Sequence, residues 1–176
     1  MIEKILNILR EERLNDNHIR IVGEFESLEE GLTTYLHGES FEYNRIGKGN
    51  TYLILNNNNS IVAYYTLKAN AVKLYDEESG RIESISCVEI AKFSIAKELK
   101  GYDLGTIIFN YFIKPKISHI KEILAIEQII LFSVSSKKVI NFYKDLGFNI
   151  QKDSKIDAYI KETDNEGCKF MYMYCN

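Results

Sequence analysis

Proline is almost absent: Pro115 is the only one in 176 residues. Domains strung on stiff linkers carry more, so the chain reads as one domain with at most a short extension. Histidine is scarce too, and His18, His37 and His119 are scattered. The three cysteines, Cys87, Cys168 and Cys175, form no CxxC pair. An odd, dispersed set gives neither a disulfide framework nor a zinc site, and no metal is expected. No run of 18 apolar residues exists, which excludes a membrane-spanning helix. Neither sign of charge dominates, since 22 Lys and Arg face 25 Asp and Glu for a net charge of −3. That balance exerts no global pull toward nucleic acid. The opening MIEKILNILREER mixes both charges and lacks a signal-peptide cleavage pattern, so a cytoplasmic protein is expected. Two familiar phosphate-binding patterns, GxGxxG and GxxxxGK[ST], do not occur in the central glycine turn.

What is present is a strand, a glycine turn and a helix in VEIAKFSIAKELKGYDLGTIIFN, residues 88–110. The apolar Val88–Ile95 reads as a central strand, KGYDLGT at 100–106 as the turn, and TIIFNYFI at 106–113 as a buried helix. Backbone N–H groups at such a helix start lack intrahelical partners and converge on one spot, where an anion can sit. Glycine permits close approach of the backbone.

Along the rest of the chain, Ile2, Ile5, Leu6 and Leu9 predict an amphipathic helix over 2–14, within an N-terminal segment 1–17 that precedes a single domain over 18–176. His18–Phe25 reads as a first strand. Ser27 with Glu30 reads as a capping box for a helix that buries Leu28, Leu32, Tyr35 and Leu36 and ends at Gly38. A short helix or turn at 41–45 and a loop at 46–50 come next. Strands at 51–55 and 61–67 flank the asparagine turn NNNNS, and Thr66–Ile82 reads as a polar loop. After the strand at 85–95, Pro115 should kink or break a helix that resumes to about Glu127. A parallel strand at 129–134 follows. A helix at 137–146, capped by Ser135 or Ser136, stops at Gly147. Strands at 148–151 and 169–174 close the chain, the last through a turn at 164–167. The fold class is α/β, a mixed sheet flanked by helices.

A second stretch, SSKKVINFYKDLGF at 135–148, together with the glycine turn resembles the GNAT superfamily of acyl-CoA-dependent N-acyltransferases. The resemblance looks closest to the small toxins of bacterial toxin–antitoxin pairs that acetylate aminoacyl-tRNA, through FESLEEGLTTYLHGESFEYNRIGKGNTYLIL at 25–55. It implies acetyl-CoA as co-substrate and transfer of an acetyl group to a primary amine. It further implies a tRNA substrate and an antitoxin partner for the toxin type; a homodimer is also expected. Phe93, Ser94 and Ile95 match the cofactor strand, and Lys100, Gly101, Tyr102, Asp103, Gly105 and Thr106 the pyrophosphate turn. Lys100 stands where the family prefers Gln or Arg, and Asp103 where it prefers Gly. Asp tolerates the left-handed backbone better than most residues, although its charge is like that of phosphate.

Tyr143 matches the tyrosine that the family uses to protonate the departing CoA thiolate. Its acid strength, at or above that of a thiol, suits the role; the alternative is a core tyrosine. Glu89 stands on the central strand where some members carry a general base. The alternative is a glutamate paired with a neighbouring Lys or Arg such as Lys92, with water taking the amine proton. Ser136 is both a helix cap and a CoA contact. An acetyltransferase and a GNAT-fold binding module without catalysis are the two readings to separate.

Overall fold

Two long strands carry the architecture of the computed structural model, which describes residues 2–76, 80–101, 103–151, 165 and 167–175. They are β3, Ile61–Asp76, and β4, Arg81–Ile95. Residues 66–82 are therefore mostly strand rather than loop, because Val72 is buried while Lys68, Ala69, Ala71 and Lys73 are exposed, a strand with one apolar anchor. The chain forms two units, residues 1–68 with 90–116 and residues 69–89 with 117–176, so β3 and β4 pass through both. With β1, Arg10–Arg13, β2, Asn50–Leu55, β5, Gln128–Ser133, β6, Asn149–Ile150, and β7, Lys169–Tyr174, the hydrogen-bonded order is β1-β2-β3-β4-β5-β7-β6.

In the first unit, the expected helix over 2–14 is only Ile2–Leu6, α1, and the chain then becomes strand β1. β1 is antiparallel to β2, with Arg10 opposite Leu55 and Arg13 opposite Tyr52. Polar partners decide this in favour of strand. Arg10 donates to Asn56 O at 2.9 Å and to Asn59 Oδ1 at 2.5 Å, and Arg13 donates to Asn50 Oδ1 at 2.6 Å. Between them Glu11 accepts the Tyr65 hydroxyl and meets Lys116 Nζ at 2.5 Å. Burial, and then this bond, push the Tyr65 phenol well above its ordinary range.

His18–Phe25 is not a strand. A tight helical turn, Asp16–His18, leads into α2, Ile19–Gly23. Asn15 starts it: its side chain accepts from Asn17 N at 3.0 Å, and its own N–H donates to His18 Nδ1 at 3.1 Å. Because Nδ1 accepts, Nε2–H of the neutral ring donates to Glu12 Oε2, 3.0 Å away. Local capping overrides the β-branched composition of this stretch.

The next helix also departs from expectation. Glu29, not Ser27, occupies the N-cap of α3, Glu30–Thr34, and Leu28 is 53% exposed rather than buried. Gly38 does not end it. A widened turn, Tyr35–Glu39, carries the chain into α4, Ser40–Arg45, where Ser40 Oγ donates to Leu36 O at 2.6 Å. Tyr35 and Leu36 are buried with Leu14, Val22, Phe25, Leu53, Leu55, Ile61, Tyr64 and Ala96 in one apolar cluster. The asparagine hairpin is as expected, with Asn59 at φ 61° and Asn56 Oδ1 accepting from Asn58 N and Ser60 N.

α5, Leu104–Ile108, widens over Phe109–Ile113 and continues as α6, Lys114–Ile123. Pro115 causes no break, because the ladder is already widened before it, with Lys114 N–H bonded to Phe109 O. In the second unit, β5 is parallel to β4 through Cys87↔Gln128, Val88↔Ile129 and Glu89↔Ile130, and antiparallel to β7. Val72, Cys87, Ile130 and Phe170 form its apolar cluster. α7, Lys137–Asp145, ends at Gly147, φ 101°, as expected. Ser136 occupies its N-cap position without a side-chain bond, while Ser135 Oγ donates to Gly167 O at 2.5 Å. Of the expected turn at 164–167, Asp164 and Glu166 lie outside the described residues.

Asn44 ties three elements of the first unit. Its Nδ2 donates to Leu14 O at 3.1 Å and its Oδ1 accepts from Thr51 N at 2.8 Å, where Thr51 is fully buried. Asn44→Ala should lower unfolding free energy in urea by about 1–3 kcal/mol, the cost of stranding buried backbone groups.

Candidate active site

The first unit holds the expected cofactor residues of β4 and the following turn, apart from Tyr102. Phe93, Ser94 and Ile95 are the last three residues of β4, with Ser94 buried and the other two half-buried. Ala96 N then donates to Val62 O at 2.9 Å, and a single tight turn, Lys97–Leu99, leads to an exposed Lys100. Gly101 has φ 97° and Asp103 has φ 52°, so two left-handed residues deliver the chain into α5. Asp103 thus takes the conformation its residue type allows. Its carboxylate accepts the Thr106 hydroxyl at 2.9 Å, across the first helical turn. Gly105 and Thr106 lie within α5, which begins two residues before the sequence suggests. Tyr102 lies outside the described residues.

The second unit holds Glu89, Ser136 and Tyr143. Glu89 is 8% exposed on β4, and its Oε2 accepts from Asn70 Nδ2 at 2.7 Å. The adjoining Lys92, in the first unit, places its ammonium 5.3 Å from the centre of the Tyr35 ring. Ser136 is exposed. Tyr143 lies edge-on to Phe142, at 5.0 Å and 63°, and to Phe148, at 5.7 Å and 76°. Phe148 N donates to Tyr143 O at 3.0 Å, closing the helix end beneath the ring. Burial of the phenol raises its pKa above the ordinary tyrosine value.

Sequence reasoning missed Ser27. It was assigned as a cap, yet its hydroxyl accepts from Ser94 Oγ at 2.7 Å. No spacing rule links residues 67 apart, and this contact exists only once the sheet has formed. Among the described residues, no three His, Cys, Asp or Glu side chains gather as a metal site would require, and no helix is long and apolar enough to cross a membrane.

A mixed sheet flanked by helices, with a parallel β4–β5 step and a left-handed turn into α5, is the fold that the sequence resemblance implies, and solved structures share it. The chain superposes on AtaTR bound with AcCoA with a TM-score of 0.71 at 20% identity, over 93% of this chain and 92% of that one. AtaT complexed with acetyl-methionyl-tRNAfMet gives 0.71 at 19% identity, over 92% and 93%. A tyrosine-to-phenylalanine mutant of KacT gives 0.73 at 17% identity, over 95% of each chain. No family model and no curated protein sequence matches the chain.

Tyr143 offers a test by pH. Its folded pKa is raised, so its contribution to stability is complete below the ordinary tyrosine pKa and is lost as pH rises through the folded value. Tyr143→Phe should show a smaller loss of urea midpoint than the parent between about pH 9 and pH 11.5, around the ordinary phenol value. Equal alkaline losses in both proteins would show that the phenol is not shielded in the fold.

Proposed function

We propose that this protein is an acetyl-CoA-dependent N-acetyltransferase of the toxin type, acting on the amino group of an aminoacyl-tRNA. The observation that carries the reading is the likeness, over more than nine-tenths of both chains, to AtaTR bound with AcCoA and to AtaT with acetyl-methionyl-tRNAfMet. The local features agree with it. The two left-handed residues Gly101 and Asp103 turn the backbone ahead of α5, which suits a pyrophosphate. Phe93, Ser94 and Ile95 lie on β4 beyond Glu89, where the register with β5 ends, and would supply backbone partners to the acyl donor.

The chemistry is one displacement. The neutral amine nitrogen attacks the thioester carbonyl and gives up its surplus proton to Glu89 or to water. The C–N bond forms, the C–S bond breaks, and the CoA thiolate takes the proton of Tyr143, whose phenolate is reprotonated from solvent. Backbone N–H groups polarise the carbonyl, and positioning supplies most of the rate. The Tyr143 phenol is protonated at neutral pH, as a general acid must be, while burial, by raising its pKa, makes it a weaker acid than an exposed tyrosine. AtaT and KacT are both known as tyrosine-to-phenylalanine mutants, which fits a working tyrosine in proteins of this fold. An antitoxin partner follows from the same likeness, since AtaT is seen with the C-terminus of the antitoxin AtaR.

Acetyl-CoA should raise the thermal midpoint of the parent protein by mass action, and acetyl transfer should appear on charged tRNA and vanish after RNase treatment. No shift at millimolar acetyl-CoA would favour a GNAT-fold module that binds partners without catalysis. Tyr143→Phe should fold normally at neutral pH and transfer acetyl at least about a hundredfold more slowly, the scale of a lost general acid. A parental rate would remove Tyr143 from the mechanism.

Asp103→Gly removes a carboxylate beside the expected pyrophosphate and fits φ 52° without strain. Calorimetric titration should show acetyl-CoA bound as tightly as by the parent, or more tightly. A large loss would mean that the Asp103–Thr106 contact holds the turn open for the ligand.

A further inference from the structure

The end of β4 is tied to the segment before α3 by three contacts. Lys97 N donates to Glu26 O at 2.9 Å, and Lys97 Nζ lies 3.2 Å from Glu26 Oε2. Ser94 Oγ donates to Ser27 Oγ at 2.7 Å. The Ser27 hydroxyl oxygen also accepts from Glu29 N at 3.2 Å, using its second lone pair. Ser94 is 6% exposed, so its single hydroxyl proton must be given to a protein acceptor rather than to bulk water. A second acceptor is within reach: Ile95 O, 3.4 Å from the same oxygen. At 2.7 Å the bond to Ser27 has the preferred O–H···O length, whereas 3.4 Å lies at the outer edge. Ser27 therefore wins a competition for one proton, and the loser is the Ile95 carbonyl.

We infer that Ser27 is a positioning residue of the acyl-donor site: by accepting the Ser94 hydroxyl proton it keeps the Ile95 carbonyl available as an acceptor for an amide N–H of the donor. The inference rests on the reading of Phe93–Ile95 as the acetyl-CoA strand. Without the Ser27 hydroxyl, the buried Ser94 hydroxyl turns to Ile95 O, its second partner at 3.4 Å. The carbonyl retains a second lone pair, so donor binding weakens and is not abolished.

The test is calorimetric titration of acetyl-CoA into four full-length proteins: the parent, Ser27→Ala, Ser94→Ala and the double variant. Ser27→Ala should raise Kd about fivefold, the worth of one hydrogen bond, with a much smaller change in kcat at saturating donor. In the Ser94→Ala background the same Ser27 substitution should have no effect, since the competing proton is gone. A purely structural role, in which Ser27 only anchors the segment before α3, gives the same loss in both backgrounds and overturns the inference. So does a parental Kd for Ser27→Ala. Ser27→Thr keeps an acceptor oxygen and should recover most of the affinity that alanine loses, and failure to do so counts against the inference even if Ser27→Ala folds poorly. No binding by the parent overturns the acetyl-CoA reading itself, and this inference with it, whereas binding by the parent without the double-variant cancellation overturns this inference alone.

Discussion

The burial of β4 is the constraint on which the rest depends. Cys87, Val88, Glu89 and Ile90 are each less than 9% exposed, a continuous buried run rather than an alternating one. That pattern belongs to a strand covered on both faces, as parallel pairing to β5 requires. The Cys87 thiol shares this environment, and burial pushes its pKa up to about 11, so it serves as a small apolar filler and not as a nucleophile. Glu89 is the exception in the run. A carboxylate this deep is tolerated only with a hydrogen-bond donor at hand, which the Asn70 amide provides from β3.

Polar ties do as much as apolar packing to fix the first unit. Thr51 and Thr66 hydroxyls meet at 2.9 Å, and the Tyr35 hydroxyl lies 3.4 Å and 3.3 Å from them, so two strands and the helix above them share one small buried cluster. The Tyr64 hydroxyl donates to Leu32 O at 2.6 Å, and burial holds the phenol well above its ordinary range. Such bonds add little net stability each, but an unmet partner in the interior is costly, so they select one arrangement of α3, α4 and the strands over its neighbours.

What the sequence made legible follows from how local the deciding interaction is. The asparagine hairpin, the Gly147 stop, the β4-turn-α5 step and the parallel β5 each follow from residues a few positions apart. The errors fall where a distant partner decides. REER at 10–13 continues a helical pattern, but Asn50, Asn56 and Asn59 of a strand and hairpin some 40 residues on hold it extended. Ser27 looks like a cap because Glu30 follows at the right spacing, yet the helix starts two residues later, and the Ser27 oxygen accepts from both Glu29 N and the distant Ser94 hydroxyl. Gly38 and Pro115 read as stops because propensity treats them as stops. Both sit at or just beyond a widened turn, Tyr35–Glu39 and Phe109–Ile113, where the ordinary ladder is already interrupted and the usual cost of such residues is reduced.

The turn at 100–106 shows how a departure from a pattern can keep its geometry. The family that the sequence resembles prefers glycine at the position of Asp103, and the reason is backbone conformation: φ 52° excludes most side chains. Aspartate meets that demand at modest cost, but it brings a negative charge to a place where an anion is expected. The Thr106 hydroxyl, at 2.9 Å, takes up one carboxylate oxygen and draws the charge along the first turn of α5. Lys100, exposed three residues earlier, supplies an opposite charge on the same turn. The turn therefore carries a positive charge of its own and a hydrogen-bond donor to the Asp103 carboxylate. The left-handed step into α5 is a matter of backbone conformation, which the side chain at 103 leaves in place.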